Sequence, residues 1–267
     1  MAERMNNLEG KSWLQNSFSI WRDIGKTNGE KKLKHPAMFP TQLTSRLIEI
    51  YTKNKGEVVL DPFLGSGSTI VSAYKLAKKG VGFELSKEYI KLSQNRIKDT
   101  QLDLTQKKED LIKPEIYNKT VFDIPDILPE NSVDLVITSP PYWDILTAKR
   151  SADRKEIRKY SDSKEDLGNI PDYGIFLDKL KEAFAGVYKV LKKGKYCIIV
   201  VMDIRKKSKF YPFHMDLVNK MQETGFELDD IVIWDRQKEY NNMRPLGYPY
   251  VFRVNKVHEF ILKTKEK

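Results

Sequence analysis

The chain has 267 residues, 40% of them hydrophobic and 11% aromatic, enough for one large α/β domain with a substantial core and against wholesale disorder. Its formal net charge of +10 suits a polyanionic partner, nucleic acid first, although a merely soluble basic surface carries the same charge. A single cysteine excludes an intramolecular disulfide framework and a cysteine-rich zinc site, and with no apolar leader or bilayer-length run the expectation is a soluble, cytoplasmic protein with no membrane partner and no metal.

Residues 1–34 read as a polar, lysine-rich N-terminal extension anchored by Trp13, Phe18 and Trp21. The segment 35–43, which contains Phe39 and Pro40, reads as a constrained turn feeding a helix with Leu43, Leu47, Ile48 and Tyr51 on one stripe. A strand over 57–60 then runs into Asp61-Pro62-Phe63-Leu64-Gly65-Ser66-Gly67-Ser68-Thr69, followed by a helix over 68–79 that Gly80 ends. Glycines there let backbone approach a ligand, and a helix N-terminus favours negative charge. The third glycine of a dinucleotide fingerprint is absent, its position being Ile70. A carboxylate-bearing cofactor therefore fits better than a pyrophosphate, and Asp61 is offered to an ammonium group.

The next strand, 81–84, ends in Glu84, 19 residues beyond Gly65, where an acid can accept from both hydroxyls of a ribose. The plainer reading is an acid at the start of the helix over 86–98. An exposed connection over 100–118 leads to a third strand over 120–124, ending near Asp123. The apolar run 133–137 reads as a buried strand closed by Thr138-Ser139-Pro140-Pro141-Tyr142-Trp143. Strand carboxyl ends are where open α/β sheets bind ligands. At that position Tyr142 offers a face for stacking, Ser139 and the Pro140 carbonyl can accept from an exocyclic amine, and the prolines fix the backbone beforehand. In isolation the same residues are a proline turn beside an incidental aromatic.

Beyond Trp143, the stretch 144–172 has a basic first half that includes Lys149 and Arg150. A helix striped with Phe176, Leu177, Leu180, Phe184, Val187 and Leu191 follows, ended by Gly194, and then a buried strand over 196–202. Arg205, Lys206, Lys207 and Lys209 come at the ligand edge of that strand and read as phosphate contacts. A helix over 213–224, a strand over 231–234, a loop over 235–255 carrying Arg236 and Arg244, and a last strand over 257–262 complete the chain.

Taken together, the segments 35–43, 61–69 and 138–143, with Glu84, Asp123 and the closing His258-Glu259-Phe260-Ile261-Leu262, resemble the S-adenosylmethionine-dependent DNA amino-methyltransferases from residue 35 to the end. The resemblance implies a Rossmann-like α/β fold, a mostly parallel seven-stranded sheet with helices on both faces and its last strand antiparallel. It implies S-adenosylmethionine bound by Phe39, Pro40, Asp61, Phe63, Gly65, Gly67, Ser68, Glu84 and Asp123, with Asp123 accepting from the adenine amine. Ser139, Pro140, Pro141 and Tyr142 take the catalytic role, and Trp143, Lys149, Arg150, Arg205, Lys206, Lys207, Arg236 and Arg244 the DNA contacts. The target leaves the duplex stack, Tyr142 stacks on it, and Phe63 forms a wall between base and cofactor. A serine at the head of the motif leans towards cytosine N4; adenine N6 is the alternative. Covalent attack on cytosine carbon 5 would need a reactive cysteine, which Cys197, inside an apolar strand, does not provide. Two departures stand out: the cofactor half precedes the catalytic half, whereas many members carry the reverse order, and no large separate target-recognition domain is evident. The partners implied are double-stranded DNA and, left open by the residues, a cognate restriction endonuclease and a second copy of the chain. RNA amino-methylation, a non-catalytic nucleic-acid-binding protein and a dinucleotide-dependent oxidoreductase rank below this reading; the last has no use for Ser139 to Trp143.

Overall fold

The computed structural model describes residues 4–33, 38–100, 111–145, 165–240 and 245–266. Its centre is an eight-stranded sheet built from β1 (Ile20–Trp21), β2 (Val58–Asp61), β3 (Lys79–Phe83), β4 (Glu115–Tyr117), β5 (Val133–Thr138), β6 (Leu191–Val201), β9 (Phe226–Asp235) and β10 (His258–Glu266), in the spatial order β1-β9-β10-β6-β5-β2-β3-β4. A separate hairpin pairs β7 (Ile204–Lys206) with β8 (Lys209–Tyr211). All neighbouring strands run parallel except β10, which lies antiparallel between β6 and β9, as expected of the last strand. The eighth strand comes from the N-terminal segment, between the short helices α1 (Gly10–Asn16) and α2 (Asn28–Lys31), where Ile20 and Trp21 pair with Ile233 and Trp234.

Alternation along the central strands divides the core between the two faces. Leu135, Ile137, Ile198 and Val200 face Leu43, Leu47 and Ile48 of α3 (Thr41–Tyr51), with Ala73 of α4 (Ser68–Lys75) and Trp21 beside them. Val136, Cys197, Ile199 and Val201 face the other way, onto α7 (Tyr173–Val190) and α8 (Phe213–Gln222). Phe176, Phe184 and Phe213 are fully buried there, each worth about 1.5–3 kcal/mol of burial. Layers of helices on both faces of a parallel sheet leave the strand carboxyl ends as the open edge.

Several expectations are corrected. Trp21 is a buried anchor, but Trp13 and Phe18 are half exposed, at 49% and 57%. The segment 120–124 is not a strand: Thr120 and Asp123 cap each other reciprocally over a single turn, Val121–Asp123, that runs into α6 (Ile124–Ile127). The third parallel strand is instead β4, inside the expected connection. Helix α4 stops at Lys75, and Gly80 lies within β3, where an added Cβ would come 3.1 Å from Ile70 Cδ1; its role is close helix–sheet approach, not a helix end. Likewise α7 ends at Val190, so Gly194 falls inside β6. The helix of 86–98 is as expected, α5 (Lys87–Lys98), capped by Ser86.

Candidate active site

At the carboxyl ends of β2, β3 and β5 lies a cleft lined by Phe39, Phe63, Gly65, Ser68, Glu84, Ser139 and Pro141 among others. Seven expected site residues, from segments far apart in sequence, thus share one cavity. The loop between β2 and α4 forms its floor. Gly65 and Gly67 have positive φ (52° and 83°), and the Gly65 N–H donates to Glu84 Oε2 at 2.8 Å. Arg96 of α5 grips the same loop from behind, through Ser66 O at 2.8 Å and Ser68 Oγ at 3.1 Å, while its other nitrogen pairs with buried Glu30. Ser68 Oγ donates to Phe39 O at 2.8 Å, closing the segment before α3 over the loop.

Glu84 also accepts from the Ser86 N–H at 2.8 Å. Burial pushes its carboxyl up; the two N–H bonds pull it back, and the nearby Asp166 and Asp61 push it up further. Asp166 itself lines the cleft with Glu165 and Thr120, and accepts from the Gly168 N–H at 2.9 Å. Asp166 is absent from the sequence expectations; the signal was Asp166-Leu167-Gly168-Asn169, an Asx-type turn beginning with an acid.

Asp61 does not line the cleft. It is 1% exposed, accepting from Thr69 Oγ1 and Thr138 Oγ1 at 2.7 Å each and from the Phe63 N–H at 3.2 Å. Burial raises its carboxyl to about 6 despite these bonds. Since Thr138 ends β5, Asp61 joins the glycine-loop strand to the strand carrying Ser139. Two of these bonds fall on Oδ1 and one on Oδ2, so what separates Asp61 from an ammonium in the cleft is its burial rather than a lack of acceptor sites. Pro40, Pro140 and Gly67 also stand behind the lining, and an added Cβ on Gly67 would meet Ser93 Cβ at 2.5 Å. Asp123 lies away from the cleft, accepting from the Thr120 N–H at 3.0 Å as its capping partner; the expected adenine acceptor is not at the cavity, whereas Thr120 and Asp166 are.

Tyr142 is half buried behind Ser139, whose Oγ stands 3.5 Å from the phenol oxygen. Trp143 differs from expectation: it is 4% exposed, held between Tyr173 and Tyr211 at 5.1 Å each, with Lys206 Nζ 3.8 Å above its ring. That burial removes it from direct contact with DNA in this arrangement. Lys206 is drawn inward too, paired with Asp144 at 2.5 Å. Arg236 is likewise tied down between Glu259 and Glu239; burial works against its charge, but the two acids outweigh it and hold the guanidinium above its ordinary value. Arg205 and Lys207 are exposed, as phosphate contacts require. Lys149, Arg150 and Arg244 lie outside the described residues.

The donor set is acidic and hydroxylic between apolar walls: Glu84, Asp166, Ser68 and Thr120 beside Phe63, Leu64, Phe83 and Val121. With Lys119 also in the lining, it fits a ligand carrying a cationic group, a carboxylate, hydroxyl donors and one flat ring. S-Adenosylmethionine meets that description. Among the described residues, no group of three or more His, Cys, Asp or Glu comes together as a metal site, and no helix is long and apolar enough to cross a membrane.

A profile of the DNA methylases of N6/N4 type matches residues 2–95 and 133–267. Segments of the chain are 36% identical over 87 residues to the Type II beta methyltransferase M.BslI of a Bacillus species, and 38% identical over 89 residues to the orphan methyltransferase M.BamHII of Bacillus amyloliquefaciens. Those matches cover 32% and 31% of this chain, and 9% and 32% of the two relatives' own lengths. In structure the chain is similar to TrmN from Thermus thermophilus, with a TM-score of 0.50 at 14% identity, over 85% of this chain and 48% of that one. That likeness bears on the fold alone.

Proposed function

Because the chain belongs to the DNA methylase family of N6/N4 type, we propose that it transfers a methyl group from S-adenosylmethionine to the exocyclic amine of a base turned out of double-stranded DNA, with cytosine N4 as the target. One observation carries the reading: the glycine loop, Glu84, Ser139 and Pro141 line one cleft at the carboxyl edge of the sheet. Its catalytic body is the segment 35–267, with 1–34 as an extension that adds a strand to the sheet.

Phe39, Gly65, Ser68 and Glu84 hold the cofactor, with Asp166 and Thr120 taking the place expected of Asp123. When bound, S-adenosylmethionine supplies the electrophilic methyl. The amine of an aromatic base is a poor nucleophile because its lone pair is delocalised into the ring. The Ser139 hydroxyl, in the lining, accepts from that amine and favours a nitrogen whose lone pair is free to attack. The Pro140 carbonyl, one residue behind the lining, is a second acceptor for a base that enters past Ser139. Positioning and charge complementarity by preset groups provide most of the acceleration. Tyr142 stacks on the extruded base, and Phe63 walls it from the cofactor. A serine rather than an acid or amide at the head of the motif supports cytosine N4. We place the protein in the cytoplasm of a restriction–modification setting, where a cognate endonuclease is a natural partner.

The test is incubation with radiolabelled S-adenosylmethionine and mixed-sequence duplex, digestion to nucleosides and separation of the products. Label in N4-methylcytosine is the expected result. Label in N6-methyladenine keeps the mechanism and overturns the base. A protein that fails to bind the cofactor overturns the reading altogether.

A further inference from the structure

Outside the cleft, the β7–β8 hairpin and the segment 245–256 together build a surface that is both basic and aromatic. The segment folds back on itself: Leu246 bridges Arg253, and the Tyr250 and Val251 N–H groups both donate to Gly247 O. Its rings point to solvent, Tyr250 being 91% and Phe252 95% exposed. Arg253 Nη1 donates to Lys207 O at 3.3 Å, and Lys256 Nζ stands 4.0 Å from the centre of the Phe210 ring, so the segment is stapled to the hairpin. The hairpin is in turn fastened to the catalytic loop, because Lys206 pairs with Asp144 and covers Trp143. Lys207 and Lys209 of the hairpin also line a second cleft beside Trp143.

Large rings this exposed, two residues apart in sequence, mark an interaction surface. Their setting selects the partner, since Arg253, next to Phe252 in sequence, ties them to the hairpin that carries the exposed Lys207 and Lys209, in a chain of net charge +10. Extrusion of a base leaves its neighbours unstacked, and flat side chains inserted into the stack offset that cost. We propose that this surface is the duplex grip of the enzyme: Lys207 and Lys209 bind phosphates, and Tyr250 and Phe252 stack on bases exposed when the target leaves the helix. The inference rests on the DNA methyltransferase reading and locates its partner on the molecule.

The test uses the full chain and two double variants, Tyr250→Ala with Phe252→Ala and Lys207→Ala with Lys209→Ala. Binding is measured by fluorescence anisotropy, over a range of salt, to a mixed-sequence duplex and to the same duplex carrying one abasic site. The wild type should prefer the abasic duplex, where a base is already unstacked. The aromatic variant should lose that preference and about tenfold in affinity, with cofactor affinity and melting temperature unchanged. The lysine variant should weaken both duplexes alike, with the salt slope smaller by about 2. An aromatic variant that binds both duplexes as the wild type does overturns the inference. So does one whose only change, by sedimentation velocity, is loss of self-association, which would make the rings a contact between copies of the chain. A wild-type protein that binds the cofactor but neither duplex overturns the DNA reading beneath the inference, and is seen before any variant is made.

Discussion

The Tyr142 hydroxyl donates to Glu259 Oε2 at 3.2 Å, while Glu259 Oε1 accepts from Arg236. Tyr142 closes the catalytic motif and Glu259 sits on β10, the antiparallel strand at the centre of the sheet's carboxyl half. The pairing of β9 with β10 sets Glu259 opposite Trp234, two residues before Arg236. The ion pair on one oxygen thus orients the carboxylate whose other oxygen holds the tyrosine ring.

Tyr142→Phe keeps the ring and removes that anchor. A hydrogen bond to a charged group contributes about 1.5–3 kcal/mol, so methyl transfer in a single turnover should slow by about 10- to 100-fold if the bond matters fully to the reacting geometry. Cofactor affinity should stay unchanged, because Tyr142 does not line the cleft. Ser139→Ala should slow the same step by about 100- to 1,000-fold through the loss of an acceptor at the amine. Wild-type rates in both variants would remove Ser139 and Tyr142 from the catalytic machinery.

Gly67→Ala should unfold more easily and bind the cofactor weakly. The residue has φ +83°, and its new Cβ would lie 2.5 Å from Ser93 Cβ in α5. A non-glycine residue in that conformation costs about 1–3 kcal/mol before any clash is counted. Gly10→Ala, with nothing within 4 Å of an added Cβ, is the matched control and should leave the melting temperature essentially as it is. Equal melting of the two variants would refute the account of the loop.

Cys197 is fully buried, and burial pushes its thiol well above the ordinary value. It should resist thiol reagents in the native protein and react only on unfolding, and Cys197→Ala should keep methyl transfer to DNA. Loss of that activity in a folded variant would reopen the carbon-5 mechanism.

What could be read along the chain was whatever is set locally. The glycine loop and the proline pair after β5 are short stretches whose backbone demands show in their own residues, and Gly65 and Pro141 line the cleft. Contacts made by distant segments were not visible in this way. Arg236 reads as a free base in a polar loop until β9 and β10 pair, which delivers Glu259 to it. Trp143 reads as an aromatic at a site mouth until Tyr173, Tyr211 and Lys206 enclose it. The segment 120–124 failed for another reason: its apolar residues Val121, Phe122 and Ile124 favour a strand, but the reciprocal bonds of Thr120 and Asp123 and the proline at position 125 begin a helix. Asp166 became a site residue only through the packing that brings it close to Glu84.

Asp61 gives a prediction in which the sign matters. Its carboxyl titrates near 6 in the folded protein against 3.8 for the ordinary group, with burial as the main cause. The folded state therefore binds the proton more tightly than the unfolded chain does. Between about pH 4 and pH 6 the folded protein carries more protons, so this group's contribution to stability falls as pH rises and is constant above that window. The whole effect is on the order of 3 kcal/mol. Asp61→Asn cannot ionise, and its carbonyl oxygen can still accept from the Phe63 N–H and one threonine. The stability of the wild type relative to this variant, from denaturant melts at pH 4.5 and pH 7.5, should therefore decrease at the higher pH. A difference that stays constant between the two would mean that Asp61 ionises as an ordinary carboxyl, and that the bonds from Thr69 and Thr138 offset its burial in full.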